Sequence, residues 1–542
     1  MGIPSYFAHV VRRHRTIMKK REAFGRPIDN FYMDCNSLIY DAVRDMRSNG
    51  EGKGASDAGV STARLIAAVC AKIRAKVACA RPRMRLIIAF DGVAPVAKLE
   101  QQRSRRYKSW FQKRVTELVD LKSPGWDTAA ITPGTKFMSE LGHIVRKEFG
   151  SGMPIEVIVS PPDVPGEGEH KIYQYIREHP EEHKDTCTVI YGLDADLIML
   201  TLNHLSIAPD MHLYREAPEF ARSLDASLDP DSAYLLNIPA FGEALSLDLR
   251  PQKKGAMKES RGMAVPDYIF LCFLLGNDFL PHFPALNIRT RGIDRLMAAY
   301  TAVVAPTRRT LVEGDVVVWP VVRKLMSFLA DKETEFILEE YEIREKQARR
   351  TRGPQRTVDD ELNAIPLRNR VMEAYIAPQA DGWQQRYYRS LLGIEPDEPR
   401  IREVCLNYLQ GLEWTLRYYT TGCPDWRWAY RYDYPPLLTD LVRYIPGLGT
   451  RLLEYSPPAP VHNLVQLAYV LPAPSLGLLP PGLKHLLMLR HHRWYEPDCE
   501  MRTAFCKYLW EAHPQLAPID LPTLENLVGE WTRTGGPSLI QA

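Results

Sequence analysis

Short apolar runs and longer helical repeats alternate along the N-terminal part of the chain. The segment 29–40 has the pattern of a strand that leads into a helix, and 84–91, 154–160 and 186–194 repeat the strand pattern. Helical stretches such as 61–80 lie between these runs. Because the runs are apolar throughout, they are typical of strands that are buried on both faces. The pattern therefore predicts an α/β fold with a mainly parallel sheet.

The polarity pattern changes twice farther along the chain. Residues 331–352 are dense in Glu, Lys and Arg, which predicts a long solvated helix, and a loop is predicted at 353–358. Beyond residue 366, aromatic residues and prolines are frequent, which favours a second, mostly helical region with long ordered loops. We therefore divide the chain into an α/β region at 1–310, a helical connector at 311–365 and a second region at 366–542.

Composition excludes several classes of protein. The chain of 542 residues is 45% hydrophobic and 25% charged, as globular proteins are, and its net charge of +3 does not define a partner. None of its nine cysteines forms a C-x-x-C pair, which argues against a zinc module and for a reducing compartment. The sequence has no apolar run long enough to span a membrane and no secretory signal, so a cytoplasmic protein, or alternatively a nuclear one, is expected.

Seven acidic residues stand where functional groups collect in parallel sheets. They follow apolar runs or lie in a glycine-rich turn that opens a helix, and they are Asp34, Asp91, Glu167, Glu169, Asp194, Asp196 and Asp278. Each one alone is explained as a helix cap or a partner of the helix dipole. If Asp194 and Asp196 lie on an extended segment, their side chains share a face. If all seven acids converge, their repulsion favours bound cations, which predicts a two-metal site for Mg²⁺.

A basic helix follows the second of these acids. Within 98–114, the side chains of Lys98, Gln102, Arg105 and Arg106 fall on one helical face. Arginine binds two phosphate oxygens at once and lysine adds a point charge, so this face suits a terminal 5′-phosphate. The alternative interpretation is a solvated basic face. The position of the helix directly after Asp91 favours the phosphate site.

Aromatic residues near these segments are candidates for stacking on nucleic acid bases. Tyr40 lies shortly after Asp34, and Trp426 and Trp428 belong to an aromatic-rich segment of the second region. Stacking of a base on an aromatic ring contributes about 1–3 kcal/mol in single-strand binding. Packing in the core or between domains is the alternative for both tryptophans, and the sequence does not distinguish them.

Several motifs, in order along the chain, resemble those of the XRN family of 5′→3′ exoribonucleases. In residues 1–290 the matching strings are MGIPSYF, MDCNSLIYDAV, FDGVAPVAKLEQQRSRRYK, ITPGTKFM, PPDVPGEGEHKI, YGLDADLIML and FLLGNDFLPHFPALNI. Weaker matches follow at 382–393, 411–436 and 466–475. Because the motifs are separate and keep their order, the resemblance is far more specific than any single motif.

The resemblance implies a PIN-like nuclease region at 1–310 and a second XRN-type region at 366–542 that braces the entrance to the active site. It implies processive degradation of 5′-monophosphorylated single-stranded RNA to mononucleotides, with two Mg²⁺ or Mn²⁺ ions. The seven acids would bind the metal ions, Asn36 would help to order the centre, and the basic face would bind the 5′-phosphate. The family further implies a role in RNA degradation and mRNA decay and a functional link to a decapping enzyme.

The chain departs from the family pattern in two respects. Tyr40 stands where family members usually have histidine, which keeps an aromatic ring but not a histidine's charge. The chain is also short and matches poorly after residue 476, so we expect a compact member, either viral and active in the host cytoplasm or from a divergent eukaryote. A monomer is expected because no coiled coil or repeat is evident.

Two other functions are compatible with an acidic centre of this kind. The first is a structure-specific, flap-type DNA nuclease, which shares the acidic PIN-like centre. The second is an inactive RNA-binding scaffold that has kept the fold. The basic face after Asp91 argues against the first, and the complete set of seven acids argues against the second, because an uncompensated acid cluster is costly to fold.

Overall fold

The computed structural model describes residues 3, 5–48, 61–120, 126–216, 232–248, 264–351, 353 and 357–534. The strands of the main sheet are β1 (Met18–Lys20), β2 (Asn30–Asp34), β3 (Arg85–Ala89), β4 (Glu156–Ser160), β5 (Thr188–Tyr191), β6 (Met211–Glu216) and β7 (Ala233–Asn237). Two short antiparallel pairs lie outside this sheet, and they are β8 (Val312–Glu313) with β9 (Val316–Val317), and β10 (Met501–Arg502) with β11 (His513–Pro514).

The main sheet has the strand order β1-β7-β6-β5-β2-β3-β4. Strands β2 to β6 pair in parallel, and β7 and β1 add two antiparallel strands at one edge. The register places Met33 beside both Ile88 and Tyr191, so β2 ends level with its two neighbours, β3 and β5. The prediction of a mainly parallel α/β sheet is confirmed.

Helices pack on both faces of the sheet and form most of the remaining described chain. In the first part of the chain they are α1 (Tyr6–Arg13), α2 (Asn36–Ser48), α3 (Thr62–Ala80), α4 (Val96–Asp120), α5 (Lys136–Phe149), α6 (Gly168–Glu178), α7 (Pro180–His183), α8 (Asp196–Asn203), α9 (Ile238–Asp248), α10 (Ala264–Phe273) and α11 (Gly292–Ala299). In the second part they are α12 (Trp319–Ala330), α13 (Glu333–Arg350), α14 (Val358–Arg368), α15 (Val371–Ile376), α16 (Trp383–Tyr387), α17 (Glu398–Thr420), α18 (Leu438–Tyr444), α19 (Asn463–Val470), α20 (Pro481–His491) and α21 (Leu521–Arg533). The predicted helical second region is therefore present.

Two hydrophobic cores cover the two faces of the sheet. Alternate strand residues such as Phe31 and Met33 pack against α2, α3 and α5 on one face. Tyr32 and Ile87 point to the other face, into a core that continues through α6, α8 and α10 to helices of the second part of the chain. Because this core is shared, α17 packs directly against α8 and α10, which cover the main sheet. None of the helices that the structure describes is both long and apolar enough to span a bilayer.

The local structure differs from the sequence pattern at two places. The segment with Asp194 and Asp196 is not extended, because β5 ends at Tyr191 and Asp196 is the first residue of α8. An acid at a helix N-terminus is favoured by the helix dipole, which outweighs the strand pattern here. The helix predicted over 331–352 exists as α13, but it is not fully solvated, since Arg344 is buried and pairs with Glu373 at 2.6 Å.

Candidate active site

Three of the predicted acids lie at the carboxyl edge of three neighbouring strands. Asp34 is the last residue of β2, and Asp91 and Asp194 follow β3 and β5, which pair with β2 on either side. The carboxyl ends of parallel strands meet at one edge of a sheet, so these side chains are brought together. Burial and the charges of Asp91 and Asp194 raise the pKa of Asp34 well above its usual range.

Glu167 and Glu169 reach the same cleft from the start of α6. Gly168, between them, donates its backbone N–H to Asp91 Oδ1 at 2.7 Å. A Cβ atom at Gly168 would lie 2.6 Å from Asp34 Oδ1, so only glycine lets the helix approach the strand ends this closely. The helix N-terminus thereby places two further carboxylates beside the first three.

Asp196 and Asp278 complete the group of acids. Burial and the charge of Asp278 raise the pKa of Asp196 to about 7. Burial raises the pKa of Glu169 well above its usual range, and Asp196 and Asp194 add to this effect although Lys98 opposes it. Since the acids perturb one another in this way, all seven belong to one cleft.

Lys98 lies among the acids, whereas Arg106, on the same helix, has other neighbours. Its ammonium group forms a hydrogen-bonded ion pair with Glu167 and a second ion pair with Asp278 Oδ2 at 3.0 Å. The hydroxyl of Tyr418 donates to the other oxygen of Glu167 at 2.7 Å. Lys98 therefore neutralises part of the acid cluster, and its predicted contact with a 5′-phosphate stays a prediction.

The cleft also contains carboxylate oxygens that lack donors. Asp34 Oδ1 and Glu169 Oε2 are buried and make no hydrogen bond within the described part of the chain. A buried carboxylate oxygen without a donor is costly, whereas hard divalent cations bind such oxygens directly. The residues of this cleft therefore fit Mg²⁺ or Mn²⁺.

The basic face of α4 presents its arginines to the cleft. Arg105 makes no hydrogen bond or ion pair within the described residues, although Tyr40, Asp278 and Asp194 raise its pKa against the opposing effect of burial. Arg106 is held by Thr132, whose Oγ1 accepts from Nη2 at 2.8 Å. Burial lowers the pKa of Arg106 to about 10. Two buried polar atoms on this face have no partner among the described residues, and they are Arg106 Nη1 and Gln102 Oε1. A bound anion would provide hydrogen-bond acceptors for these two guanidinium groups.

Asn36 and Tyr40 both lie on α2, Asn36 beside the acids and Tyr40 beside the basic face of α4. The amide of Asn36 donates to Asp91 Oδ2 at 2.6 Å and accepts from the Asp91 backbone N–H at 3.1 Å, so it orients that carboxylate. Tyr40 is 41% exposed and lies close enough to Arg105 and Arg106 to affect their pKa values. An exposed ring beside the basic face is free to stack on a base.

The two candidate tryptophans have different surroundings. Trp428 is 8% exposed and stacks on buried Trp414, with ring centroids 5.4 Å apart. This burial argues against Trp428 as a base platform, because protein neighbours occupy its surface. Trp426 is half-buried and its carbonyl accepts from the N–H of Val96, the first residue of α4, at 3.0 Å. Trp426 is therefore the remaining candidate.

Sequence reasoning missed two residues that position the site. Tyr418 contacts Glu167 from α17, and Thr132 holds Arg106 from the loop before α5. Tyr418 is 251 positions from its partner, so no local pattern could reveal the contact. Thr132 lies within the ITPGTKFM motif, which was a signal of its importance but not of its role.

A second group of potential metal ligands lies away from the acid cleft. Cys187, Asp210 and His212 place ligand atoms within 4.8 Å of one another. They stand at the beginnings of β5 and β6, the opposite edge of the sheet from Asp34. The carboxylate of Asp210 is already paired with Arg26 and His212. This group is therefore separate from the predicted two-metal site.

A parallel sheet that gathers buried carboxylates at its carboxyl edge, next to a basic helix, is the arrangement of a PIN-like nuclease domain. Residues 1–217 match the family model of the XRN 5′-3′ exonuclease N-terminus, and residues 260–375 and 375–520 match that of the Xrn1 helical domain. These matches cover most of the chain, so the chain belongs to the XRN family of 5′→3′ exoribonucleases.

Similar proteins occur across eukaryotes. The 5′-3′ exoribonuclease 2 homolog of Drosophila melanogaster is 29% identical over 98% of this chain and 72% of its own length. The 5′-3′ exoribonuclease 1 of Saccharomyces cerevisiae is 25% identical over 99% of this chain but 44% of its own length. The 5′-3′ exoribonuclease 2 of Gallus gallus is 27% identical over 96% of this chain and 69% of its own length. The chain therefore spans from under half to about three quarters of these relatives.

Proposed function

We propose that this chain is a Mg²⁺-dependent 5′→3′ exoribonuclease that acts processively on single-stranded RNA with a 5′-monophosphate. The observation that carries the proposal is the presence, in one cleft, of seven acids and of Arg105, a guanidinium without a partner among the described residues. The acids suit the ions that cleave a phosphodiester, and the guanidinium suits the end of the chain to be cleaved. The names of the relatives support the same activity.

The residues of the cleft have different roles in one cleavage reaction. Arg105 and Arg106 bind the terminal phosphate and fix the distance from that end to the acids. Tyr40 and Trp426 stack on bases, which keeps the RNA strand unpaired. Asn36 orients Asp91, and Lys98 with Tyr418 holds Glu167.

The seven acids would hold the metal ions. When bound, Mg²⁺ would lower the pKa of a water molecule and neutralise negative charge on the departing oxygen. The acids need to be ionised for this, and because the pKa of Asp196 is raised to about 7, a bound cation would shift this carboxyl towards its ionised form. A terminal pocket built for one phosphate would also disfavour a capped or triphosphate end through size and charge.

The test compares RNA ends and nucleic acid classes with the same protein preparation. Single-stranded RNA with 5′-monophosphate, triphosphate or hydroxyl ends is incubated with Mg²⁺ or with a chelator, and flapped DNA duplexes are included. We expect Mg²⁺-dependent cleavage of the monophosphate RNA alone. Cleavage of flapped DNA with no action on RNA would favour the DNA nuclease, and RNA binding without any cleavage would favour the scaffold.

A further inference from the structure

A cavity of about 380 Å³ adjoins the acid cleft on a second face of α4. Gln101, Ser104 and Lys108 line it from the helix, and segments around 275–289, 430–434 and 504–514 form the remaining wall. Since successive helical residues are about 100° apart, this face is next to the face that carries Gln102 and Arg106. Volumes of this order are typical of small-molecule sites.

The cavity shares two residues with the candidate active site. Arg105 and Asp278 line both, so the cavity is continuous with the place where a 5′-phosphate would bind. Neither Tyr40 nor Trp426, the candidate base platforms, lines the cavity. An RNA strand stacked on those rings would therefore leave the cavity free.

A processive exonuclease must release one mononucleotide in every cycle of cleavage. Water attacks the phosphorus that links the first two nucleotides, the bond to O3′ of the first nucleotide breaks, and O3′ takes up a proton. The shortened RNA then carries a new 5′-phosphate, whereas the released nucleotide still has its own phosphate in the terminal pocket. The next cycle cannot begin until this product leaves, and the RNA itself blocks the side from which it came.

We propose that this cavity receives the released 5′-mononucleotide and conducts it to solvent. The inference rests on the proposed function. It assigns to the product a route that is distinct from the path of the RNA, with Arg105 at the inner end of that route.

The polar lining suits any base without a strong preference. Gln101, Asn277 and His282 contribute polar side chains to the lining. Amide and imidazole groups can both donate and accept hydrogen bonds, so they can meet different base edges. The half-buried ring of Tyr432 adds a surface on which any base can stack.

The other cations that line the cavity favour release over retention of a nucleotide. Lys108 donates to the carbonyl oxygens of Trp510 and Ala512, each at 2.7 Å. Arg289 forms an ion pair with Glu511. Because these cations already have partners, a nucleotide that passes Arg105 meets no further unpaired cation among the described lining residues. Weak binding is what a product path needs.

The test fills the cavity and separates chemistry from release. Ser104 faces the cavity, is half-buried and forms no part of the metal or phosphate sites, so Ser104→Phe narrows the path. Ser109 is exposed on the same helix, and Ser109→Phe is the matched control. Wild type and both variants are mixed rapidly with 5′-monophosphate RNA and Mg²⁺, and release of the first nucleotide is compared with the steady-state rate.

We expect Ser104→Phe to keep the rate of the first cleavage and to lower the steady-state rate by roughly tenfold, because product release then limits turnover. Titration calorimetry with 5′-AMP should show weaker binding to this variant than to wild type. Ser109→Phe should match wild type in both assays. If Ser104→Phe unfolds, Ser104→Leu, a smaller side chain, takes its place.

Two results would overturn the inference while leaving the proposed function intact. Steady-state rates of a folded Ser104 variant within about twofold of wild type would mean that no product passes the cavity. A slower first cleavage with weaker RNA binding would instead make the cavity part of the RNA path. A wild-type protein that does not cleave RNA would contradict the proposed function itself.

Discussion

Arg105→Ala should weaken the selectivity for a 5′-monophosphate and leave the protein folded. The guanidinium of Arg105 makes no hydrogen bond or ion pair with other described residues, so its loss leaves no protein group unpaired. Because Asp278 and Asp194 attract the guanidinium, its loss should lower the free energy of unfolding, but by less than the roughly 3–5 kcal/mol that is lost when a buried ion pair is broken.

The expected loss of selectivity follows from the strength of a charged hydrogen bond. Such a bond contributes about 1.5–3 kcal/mol, and about 1.4 kcal/mol corresponds to a factor of ten. The ratio of kcat/KM for RNA with a 5′-monophosphate to that for RNA with a 5′-hydroxyl should therefore fall by about 10- to 100-fold. Arg106 remains in the variant, so some selectivity should persist.

The assay measures kcat/KM on two RNAs that differ only in the 5′ group. Arg114→Ala is the matched control, because Arg114 is exposed on the same helix and lies over the ring of Trp110. The control should keep the wild-type ratio. An Arg105→Ala protein that is folded and active but retains the full ratio would show that the phosphate binds elsewhere, and the reasoning from an unpartnered guanidinium would fail.

Three further predictions concern metal binding and stability. The pKa of Asp196 is about 7 in the folded protein and about 4 in the unfolded chain. Because the folded state holds the proton more tightly, the free energy of unfolding without metal falls as pH rises between these values. Mg²⁺ binds the ionised form and should therefore raise the melting temperature more at pH 8 than at pH 6, and equal increments would argue against this metal site. Glu373→Ala should lower the free energy of unfolding in urea by about 3–5 kcal/mol because buried Arg344 loses its partner, whereas Glu403→Ala, at an exposed pair, should cost less than about 1 kcal/mol. Similar losses would refute the role of burial. Asp196→Asn should abolish cleavage but keep RNA binding in a gel-shift assay, and retained turnover would remove this acid from the metal centre.

The main sheet was predictable because its strands are buried on both faces. The apolar runs over 84–91 and 154–160 correspond to β3 and β4, and the runs around Asp34 and Tyr191 correspond to β2 and β5. Acids that follow such runs must collect at one edge of a parallel sheet. The grouping of Asp34, Asp91 and Asp194 could therefore be inferred from local pattern and topology alone, whereas the other four acids reach the cleft from the ends of helices.

Contacts between distant parts of the chain were not predictable in this way. The periodicity of α4 puts Lys98 on the face of Arg105, but its ammonium group pairs with Glu167, at the start of α6, and with Asp278. Trp428 and Trp426 are equivalent in sequence, and only the position of Trp414 on α17 distinguishes a core ring from a half-buried one. The division of the chain into three regions, and the roles of the individual acids, stay predictions.

A time course on RNA labelled at either end is the most direct test of processive 5′→3′ degradation. The substrate is single-stranded RNA with a 5′-monophosphate, and the reaction contains Mg²⁺. We predict that label at the 5′ end appears at once as a mononucleotide, whereas RNA labelled at the 3′ end disappears without a ladder of intermediates. Internal fragments from the first time points, or no cleavage with Mg²⁺ at any concentration, would contradict a processive 5′→3′ exoribonuclease.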